Sequence, residues 1–168
     1  MGANIVLTGL MGAGKSTVGK ALSKILRDYT FIDVDDVIVD IEGMSIPDIF
    51  EQKSEEYFRK TEKNVIEELS QEEDLIIALG GGAFEDEETR ENLKGCITFY
   101  LQSSVERLMD RIKNDTNRPL LRCENPKEKL KELLAIREPN YLQADYIIKT
   151  DNKDIDSIVD EIIDLIES

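Results

Sequence analysis

Histidine is absent from the 168-residue chain, and cysteine occurs only twice, at Cys96 and Cys123. Without histidine and without a CxxC spacing, the sequence offers no ligand set for a zinc ion. Two isolated cysteines indicate free thiols rather than a disulfide framework, which favours a reducing compartment and predicts a cytoplasmic protein. A chain of this length forms its core without disulfides or structural metal, so we expect one domain over residues 1–168.

Long apolar runs and a basic leader segment are also missing. The first residues run directly into a short apolar segment, with neither a basic region nor a small-residue cleavage site. No apolar stretch approaches the length of a transmembrane helix. The sequence therefore predicts neither export nor insertion into a membrane.

Positive charge is scarce: the chain has 21 lysines and arginines and 36 acidic residues, which gives a net charge of −15. Nucleic acids and acidic membranes attract basic surfaces, so this charge balance argues against both kinds of partner and favours small molecules. We expect the protein to be a monomer. An acidic protein binds anionic ligands only where its cations are concentrated. Five of the eight arginines lie in one stretch of the chain: Arg107, Arg111, Arg118, Arg122 and Arg137.

Short apolar runs alternate with amphipathic segments along the chain. The runs are continuous, which is typical of strands covered on both faces of a parallel sheet. We predict strands at 4–8, 29–33, 75–79, 96–101 and 146–148, and helices near 35–42, 46–51, 54–69, 86–94, 104–113, 127–138 and in the C-terminal tail. The expected fold is α/β, with three layers and a central five-stranded parallel sheet flanked by helices. The polar segment 114–126, which carries two of the four prolines, is predicted to be a mobile lid.

A glycine-rich loop stands between the first strand and the first helix. Its sequence fits the pattern GxxxxGK[ST], in which backbone N–H groups surround nucleotide phosphates. Lys15 is expected to reach the β and γ oxygens, and Ser16 to bind Mg²⁺. The residues predicted to hold the nucleotide are Gly12, Ala13, Gly14, Lys15, Ser16 and Thr17. GTPases, motor ATPases and small-molecule kinases share this loop, so it identifies phosphate binding and not the reaction.

Two carboxylates follow the second strand, at the edge where open α/β sheets bind ligands. Asp33, which we expect at the end of the strand beside the phosphate-loop strand, is the candidate for the second metal contact. Asp35 is the candidate for a hydrogen bond to the hydroxyl that receives a phosphoryl group. Capping of the following helix is the alternative role for both, because aspartate is a preferred N-cap residue.

The motifs in their order resemble the shikimate kinase family, over positions 4 to about 153. They are residues 9–17, Asp33-x-Asp35, Phe58-Arg59 with Glu62, Gly80-Gly81-Gly82-Ala83, Arg118-Pro119-Leu120-Leu121, and Arg137 followed by Tyr141. The resemblance implies ATP and Mg²⁺ as the cofactors and shikimate as the acceptor. It also implies a P-loop kinase fold with a substrate-binding segment at about 34–62.

The resemblance assigns further roles residue by residue. It implies that shikimate is held by Asp35, Arg59, Glu62, Gly80, Gly81, Gly82 and Arg137, between apolar walls formed by Phe50 and Phe58. Arg118 resembles the catalytic arginine of the family, beside Lys15 and Asp35 as catalytic residues. Arg111 resembles the arginine that stacks on adenine, and Asn152 and Lys153 are expected to line the adenine pocket. A kinase for another small alcohol, such as a gluconate-type sugar acid or a nucleoside monophosphate, and a non-catalytic nucleotide-binding module are the alternatives.

Overall fold

A five-stranded parallel sheet forms the centre of the protein. The computed structural model describes residues 2–112 and 123–168. The strands are β1 (Ile5–Thr8), β2 (Thr30–Asp33), β3 (Leu75–Ala78), β4 (Ile97–Gln102) and β5 (Tyr146–Lys149). All pair in parallel, in the order β2-β3-β1-β4-β5. The predicted α/β fold with five parallel strands is confirmed.

Helices connect the strands and cover both faces of the sheet. They are α1 (Lys15–Ile25), α2 (Val34–Glu42), α3 (Ile46–Gln52), α4 (Glu55–Ser70), α5 (Glu87–Asn92), α6 (Val105–Ile112), α7 (Pro126–Tyr141) and α8 (Ile155–Glu167), with a short 3₁₀ helix at Ala83–Glu85. Most begin where a polar side chain accepts a hydrogen bond from a backbone N–H of the first turn, as Ser54 and Asp154 do. Asn125 caps α7, so this helix begins at Pro126, one residue before the predicted start at 127.

The core lies between the sheet and the helices. Ile5, Val6 and Leu7 of β1 are fully buried, as the continuous apolar runs predict. The apolar stripe of α8 packs into the same core, with Ile158 and Ile162 almost completely buried. Among the described helices, none is both long and apolar enough to cross a membrane.

The position of β2 corrects one prediction. β2 is not the neighbour of β1, because β3 pairs with both and lies between them. The residues explain this order: Ile76 and Ile77 of β3 are fully buried, whereas β2 begins at exposed Thr30 and ends at half-buried Asp33. The more apolar strand takes the central place, which is covered on both faces, and the more polar strand takes the edge.

Candidate active site

The phosphate loop (residues 9–17) joins β1 to α1, and its glycines adopt backbone angles that other residues avoid. Gly12 has φ of 82° and Gly14 has φ of 93°. A Cβ atom on Gly12 would also lie 2.6 Å from Cγ2 of Ile112, because α6 packs directly on the loop. The loop therefore needs glycine at this position for its conformation and for its contact with α6.

Lys15 and Arg111 flank the phosphate loop. Nζ of Lys15 donates hydrogen bonds to the carbonyls of Gly9 at 2.5 Å and Leu10 at 3.2 Å, so the ammonium group lies over the loop. Nη1 of Arg111, on α6, donates to the carbonyl of Gly12 at 3.0 Å. Both cations border a cavity of about 300 Å³ that is otherwise lined by residues 12–14, 16 and 17.

Ser16 and Asp33 meet at the edge of this cavity, although β2 is one strand away from β1. The Ser16 hydroxyl donates a hydrogen bond to the Asp33 carboxylate. The other carboxylate oxygen of Asp33 accepts from the backbone N–H of Asp35 at 2.9 Å and thereby caps α2. Asp33 therefore has the alternative, capping role and also contacts Ser16, while its role as a metal ligand stays a prediction.

The tri-glycine segment (residues 80–82) follows β3 and lies against charged side chains from three helices. An added Cβ on Gly80 would lie 2.6 Å from Oε2 of Glu62 and 3.0 Å from Oδ1 of Asp35. On Gly81 it would lie 3.2 Å from Nη1 of Arg137, and on Gly82 it would lie 2.6 Å from Nη2 of Arg59. The structure thus brings Asp35, Glu62, Arg59 and Arg137 together around one backbone segment.

The two arginines of this cluster each have a glutamate partner. Nη1 of Arg59 is 3.0 Å from Oε1 of Glu62, and Nε of Arg137 is 3.5 Å from Oε2 of Glu85. Arg137 is 3% exposed and Glu62 is 2% exposed. Burial raises the pKa of Glu62 to about 7, against the opposing effect of the Arg59 charge.

The tri-glycine segment also lies beside the phosphate loop. The backbone N–H of Leu79 donates to the carbonyl of Leu7 at 3.0 Å, which fixes the end of β3 against β1. The backbone nitrogen of Met11 is 3.5 Å from the position that a Cβ on Gly81 would occupy. The phosphate loop and the charged cluster around residues 80–82 are therefore adjacent.

A sequence profile of the family described as Shikimate kinase matches residues 11–167. The chain belongs to the shikimate kinase family. It is 39% identical to a shikimate kinase of Vibrio parahaemolyticus over 166 residues, covering 98% of this chain and 96% of the relative. It also resembles the structure of a shikimate kinase from Acinetobacter baumannii in complex with shikimate, with a TM-score of 0.96, 41% identity, and coverage of 99% and 94% of the two chains.

A gluconokinase from Sinorhizobium meliloti has a related structure, with a TM-score of 0.60, 20% identity, and coverage of 95% of this chain and 88% of that one. A likeness at this identity shows a shared fold and carries no argument about the acceptor.

Membership of the shikimate kinase family also makes ATP the co-substrate. The recognition of the shikimate kinase family from the order of its motifs is confirmed.

Phe50 and Phe58, which the family resemblance makes the apolar walls, lie together beside the arginine cluster. Their ring centroids are 5.2 Å apart, and Phe58 is 4% exposed. The guanidinium carbon of Arg59 is 5.2 Å from the centroid of the Phe58 ring. A cavity of about 450 Å³, lined by Arg59, Glu62 and Gly82, extends from this point towards α5.

Two residues expected at the adenine pocket of a shikimate kinase lie apart from the phosphate loop cavity. Asn152, with φ of 64°, and Lys153 belong to the connection between β5 and α8. Nζ of Lys153 is 3.1 Å from the carboxylate of Glu161 on α8. Neither residue lines the cavity of residues 12–17 and Arg111, and their role with adenine stays a prediction.

The remaining predictions for this family lie outside the described residues. Arg118 and Arg122 both lie in the part of the chain that the structure does not describe, as does the predicted lid apart from its last residues, 123–126.

The sequence predictions gave no role to Glu85 or Tyr141, both of which contact the cluster. Tyr141 follows Arg137 by four residues, and this spacing places the two on one face of a helix, so the signal was available.

Proposed function

We propose that the protein transfers the γ-phosphoryl group of ATP to the 3-hydroxyl of shikimate, giving shikimate 3-phosphate and ADP in the synthesis of aromatic amino acids. One observation carries the proposal. Asp35, Arg59 and Arg137 surround the tri-glycine segment, which itself lies against the phosphate loop. A donor site for phosphate and an acceptor site for a hydroxylated acid are thereby adjacent, as direct transfer requires.

The acceptor binds through its carboxylate and its hydroxyls. A guanidinium presents a planar pair of N–H donors that matches a carboxylate, so Arg59 and Arg137 hold the acid group. Glu62 and Glu85 fix the orientation of these guanidiniums through the contacts described above. The narrow tri-glycine segment leaves space for the ring, with Phe50 and Phe58 as the apolar side of the pocket.

Magnesium fits the nucleotide site. The Ser16 hydroxyl and the Asp33 carboxylate are oxygen donors of the kind that Mg²⁺ prefers, and they are in contact at the phosphate loop. Within residues 2–112 and 123–168 no group of three or more histidine, cysteine or acidic side chains could hold a metal ion. Mg²⁺ is commonly held by one or two carboxylates together with substrate phosphates, so Ser16 and Asp33 are sufficient protein ligands. The ion would neutralise charge on the β- and γ-phosphates.

Transfer depends mainly on positioning and on charge stabilisation. Lys15 contacts the γ-phosphoryl oxygens after exchanging its hydrogen bonds with the loop carbonyls for bonds to phosphate. Asp35 orients the 3-hydroxyl and accepts its proton as the new P–O bond forms. Arg118, assigned by the family resemblance, completes the charge stabilisation from the predicted lid. Arg111, Asn152 and Lys153 serve the adenine end.

We propose that residues 1–168 form one catalytic domain, with the acceptor segment at about 34–62. We also propose a monomer, and a cytoplasmic location because the free thiols of Cys96 and Cys123 fit a reducing compartment.

The decisive experiment measures ADP release from ATP and Mg²⁺ with shikimate, gluconate or AMP supplied in turn. We expect turnover with shikimate alone, and a product whose phosphorus signal couples to the proton at C3. Turnover with gluconate or AMP at a comparable rate would reject shikimate as the specific acceptor. Nucleotide binding without any phosphorylated product would reject the kinase activity itself.

A further inference from the structure

Tyr141, the last residue of α7, is fully buried and contacts the tri-glycine segment. Its hydroxyl donates a hydrogen bond to the carbonyl of Gly81. Burial raises the pKa of this hydroxyl, so it remains a neutral donor at every working pH. A buried phenol that points at a loop carbonyl is a fixed contact between α7 and that loop.

The carbonyls of the segment show why this contact matters. The carbonyl of Gly80 accepts from the backbone N–H of Ala83 at 3.2 Å, and that of Gly82 accepts from Glu85 at 3.3 Å. Both bonds are local, within the turn that leads into the 3₁₀ helix. Gly81 lies between them, and its carbonyl accepts instead from a side chain about sixty residues further along the chain. The Tyr141 hydroxyl therefore sets the position of the middle peptide relative to α7.

Arg137 lies one helical turn before Tyr141 and on the same face of α7. Its Nη1 is 3.2 Å from the position that a Cβ on Gly81 would occupy. The guanidinium and the phenol thus contact the same glycine from the same helix. Any shift of the Gly81 peptide relative to α7 changes the distance between the guanidinium and the backbone that faces the acceptor.

We propose that Tyr141 is a positioning residue for the acceptor site: its hydroxyl holds the Gly81 peptide at a fixed distance from Arg137, and thereby fixes the geometry in which the acceptor carboxylate is bound. The inference rests on the proposed function, since shikimate is the acceptor used to test it. Tyr141 acts through Gly81 and Arg137, and no contact between Tyr141 and the acceptor is required.

Tyr100 supplies a matched control on β4. It is 1% exposed, and its ring centroid is 4.9 Å from that of Tyr141. Its hydroxyl also donates a hydrogen bond, to the carboxylate of Glu138. Tyr100 therefore shares the burial, the ring packing and the hydrogen-bonded hydroxyl of Tyr141. It differs in its acceptor, which is the Glu138 carboxylate and not a carbonyl of the tri-glycine segment.

The experiment compares Tyr141→Phe and Tyr100→Phe by thermal melting and by steady-state kinetics with shikimate and ATP varied separately. For Tyr141→Phe we expect a rise in KM for shikimate of about three- to tenfold, the range of one neutral hydrogen bond, with kcat and KM for ATP within about twofold. Tyr100→Phe is expected to leave all three parameters within about twofold, whatever it does to the melting temperature. Equal KM values for shikimate in the two variants would overturn the proposal, as would an equal effect on the two substrates.

Two further replacements keep the test independent of stability. Tyr141→4-aminophenylalanine retains an N–H donor and is expected to restore KM for shikimate to within about twofold of the unmodified protein. Tyr141→4-fluorophenylalanine fills the volume of the hydroxyl without donating, and it replaces Tyr141→Phe if that variant does not fold. A raised KM with the amino residue, or a normal KM with the fluoro residue, contradicts positioning by a donor. Absence of shikimate turnover in the unmodified protein is a separate result, because it rejects the proposed function before any variant is compared.

Discussion

The nucleotide side and the acceptor side of this pocket are constructed in different ways. The nucleotide side is one continuous segment, residues 9–17, whose backbone conformation depends on its own glycines. The acceptor side gathers Asp35, Arg59, Glu62 and Arg137 from three separate helices around residues 80–82. The first is therefore local in sequence, whereas the second depends on packing and on buried charge. Substitutions on the two sides should fail in different ways.

The largest effect is expected on the nucleotide side. Lys15→Ala removes the ammonium group that lies over the phosphate loop, and kcat should fall by about 10²- to 10³-fold or more, since one preorganised donor is worth this much at a transition state. Steady-state ADP release with saturating shikimate measures the loss. Lys24→Ala, at the exposed end of the same helix, is the control and should retain full activity. A Lys15→Ala enzyme with normal kcat would remove this lysine from the mechanism.

The second effect concerns the buried acid of the acceptor side. The pKa of Glu62 is raised from 4.5 to about 7, so between these values the folded state binds more protons than the unfolded chain. The free energy of unfolding should accordingly fall as pH rises from about 4.5 to 7, by on the order of 3 kcal/mol from this residue. Glu62→Gln should remove that slope.

Urea unfolding at several pH values measures this slope. Glu67→Gln, on an exposed position of the same helix, is the matched control and should keep the slope of the unmodified protein. If Glu62→Gln and Glu67→Gln give parallel curves of stability against pH, Glu62 does not carry the raised pKa.

The third effect separates the two substrates. Arg137→Ala should raise KM for shikimate by about ten- to a hundredfold while changing KM for ATP little, because hydrogen bonds to a charged group contribute about 1.5–3 kcal/mol. Arg137→Lys keeps the charge but loses the paired donors, and it should recover only part of the affinity. Arg107→Ala, an exposed arginine on α6, should match the unmodified enzyme. An equal rise in both KM values for Arg137→Ala would contradict the division of the pocket into two sides.

The smallest effect tests the narrow backbone of the acceptor side. Gly82→Ala places a methyl group 2.6 Å from Nη2 of Arg59, and this flexible side chain can move away without unfolding the protein. KM for shikimate should rise by about tenfold or less, a loss comparable to one weakened hydrogen bond. Gly95→Ala adds the same methyl group where no atom lies within 4 Å, and its kinetics should be unchanged. Identical KM values in the two variants would show that Arg59 does not need its present position.

The phosphate loop was predictable because its chemistry is local. A run of glycines between an apolar segment and a helix has few other physical uses, and the structure has Lys15 and Ser16 where the pattern expects them. The helix limits were predictable to within a few residues for the same reason, since Ser54 and Asp86 cap the helices that follow them.

The acceptor cluster was predictable only as a set of residues. The order of the motifs named Asp35, Arg59, Glu62 and Arg137, but no spacing in the sequence says that Arg137 pairs with Glu85 or that Tyr141 donates to Gly81. Such contacts join positions about fifty to sixty residues apart and depend on how α7 packs. The wrong placement of β2 beside β1 has the same origin, because strand order is decided by which strand gains most from the central position.

By itself, the sequence determined the α/β class, the phosphate loop and the family, because each depends on local pattern or on the order of motifs along the chain. The tertiary structure alone decided the strand order, the pairing of Arg137 with Glu85, and the raised pKa of Glu62. These properties depend on burial and on distances between separate elements. They arise only when the helices pack, because packing removes water from charges that the linear chain leaves solvated.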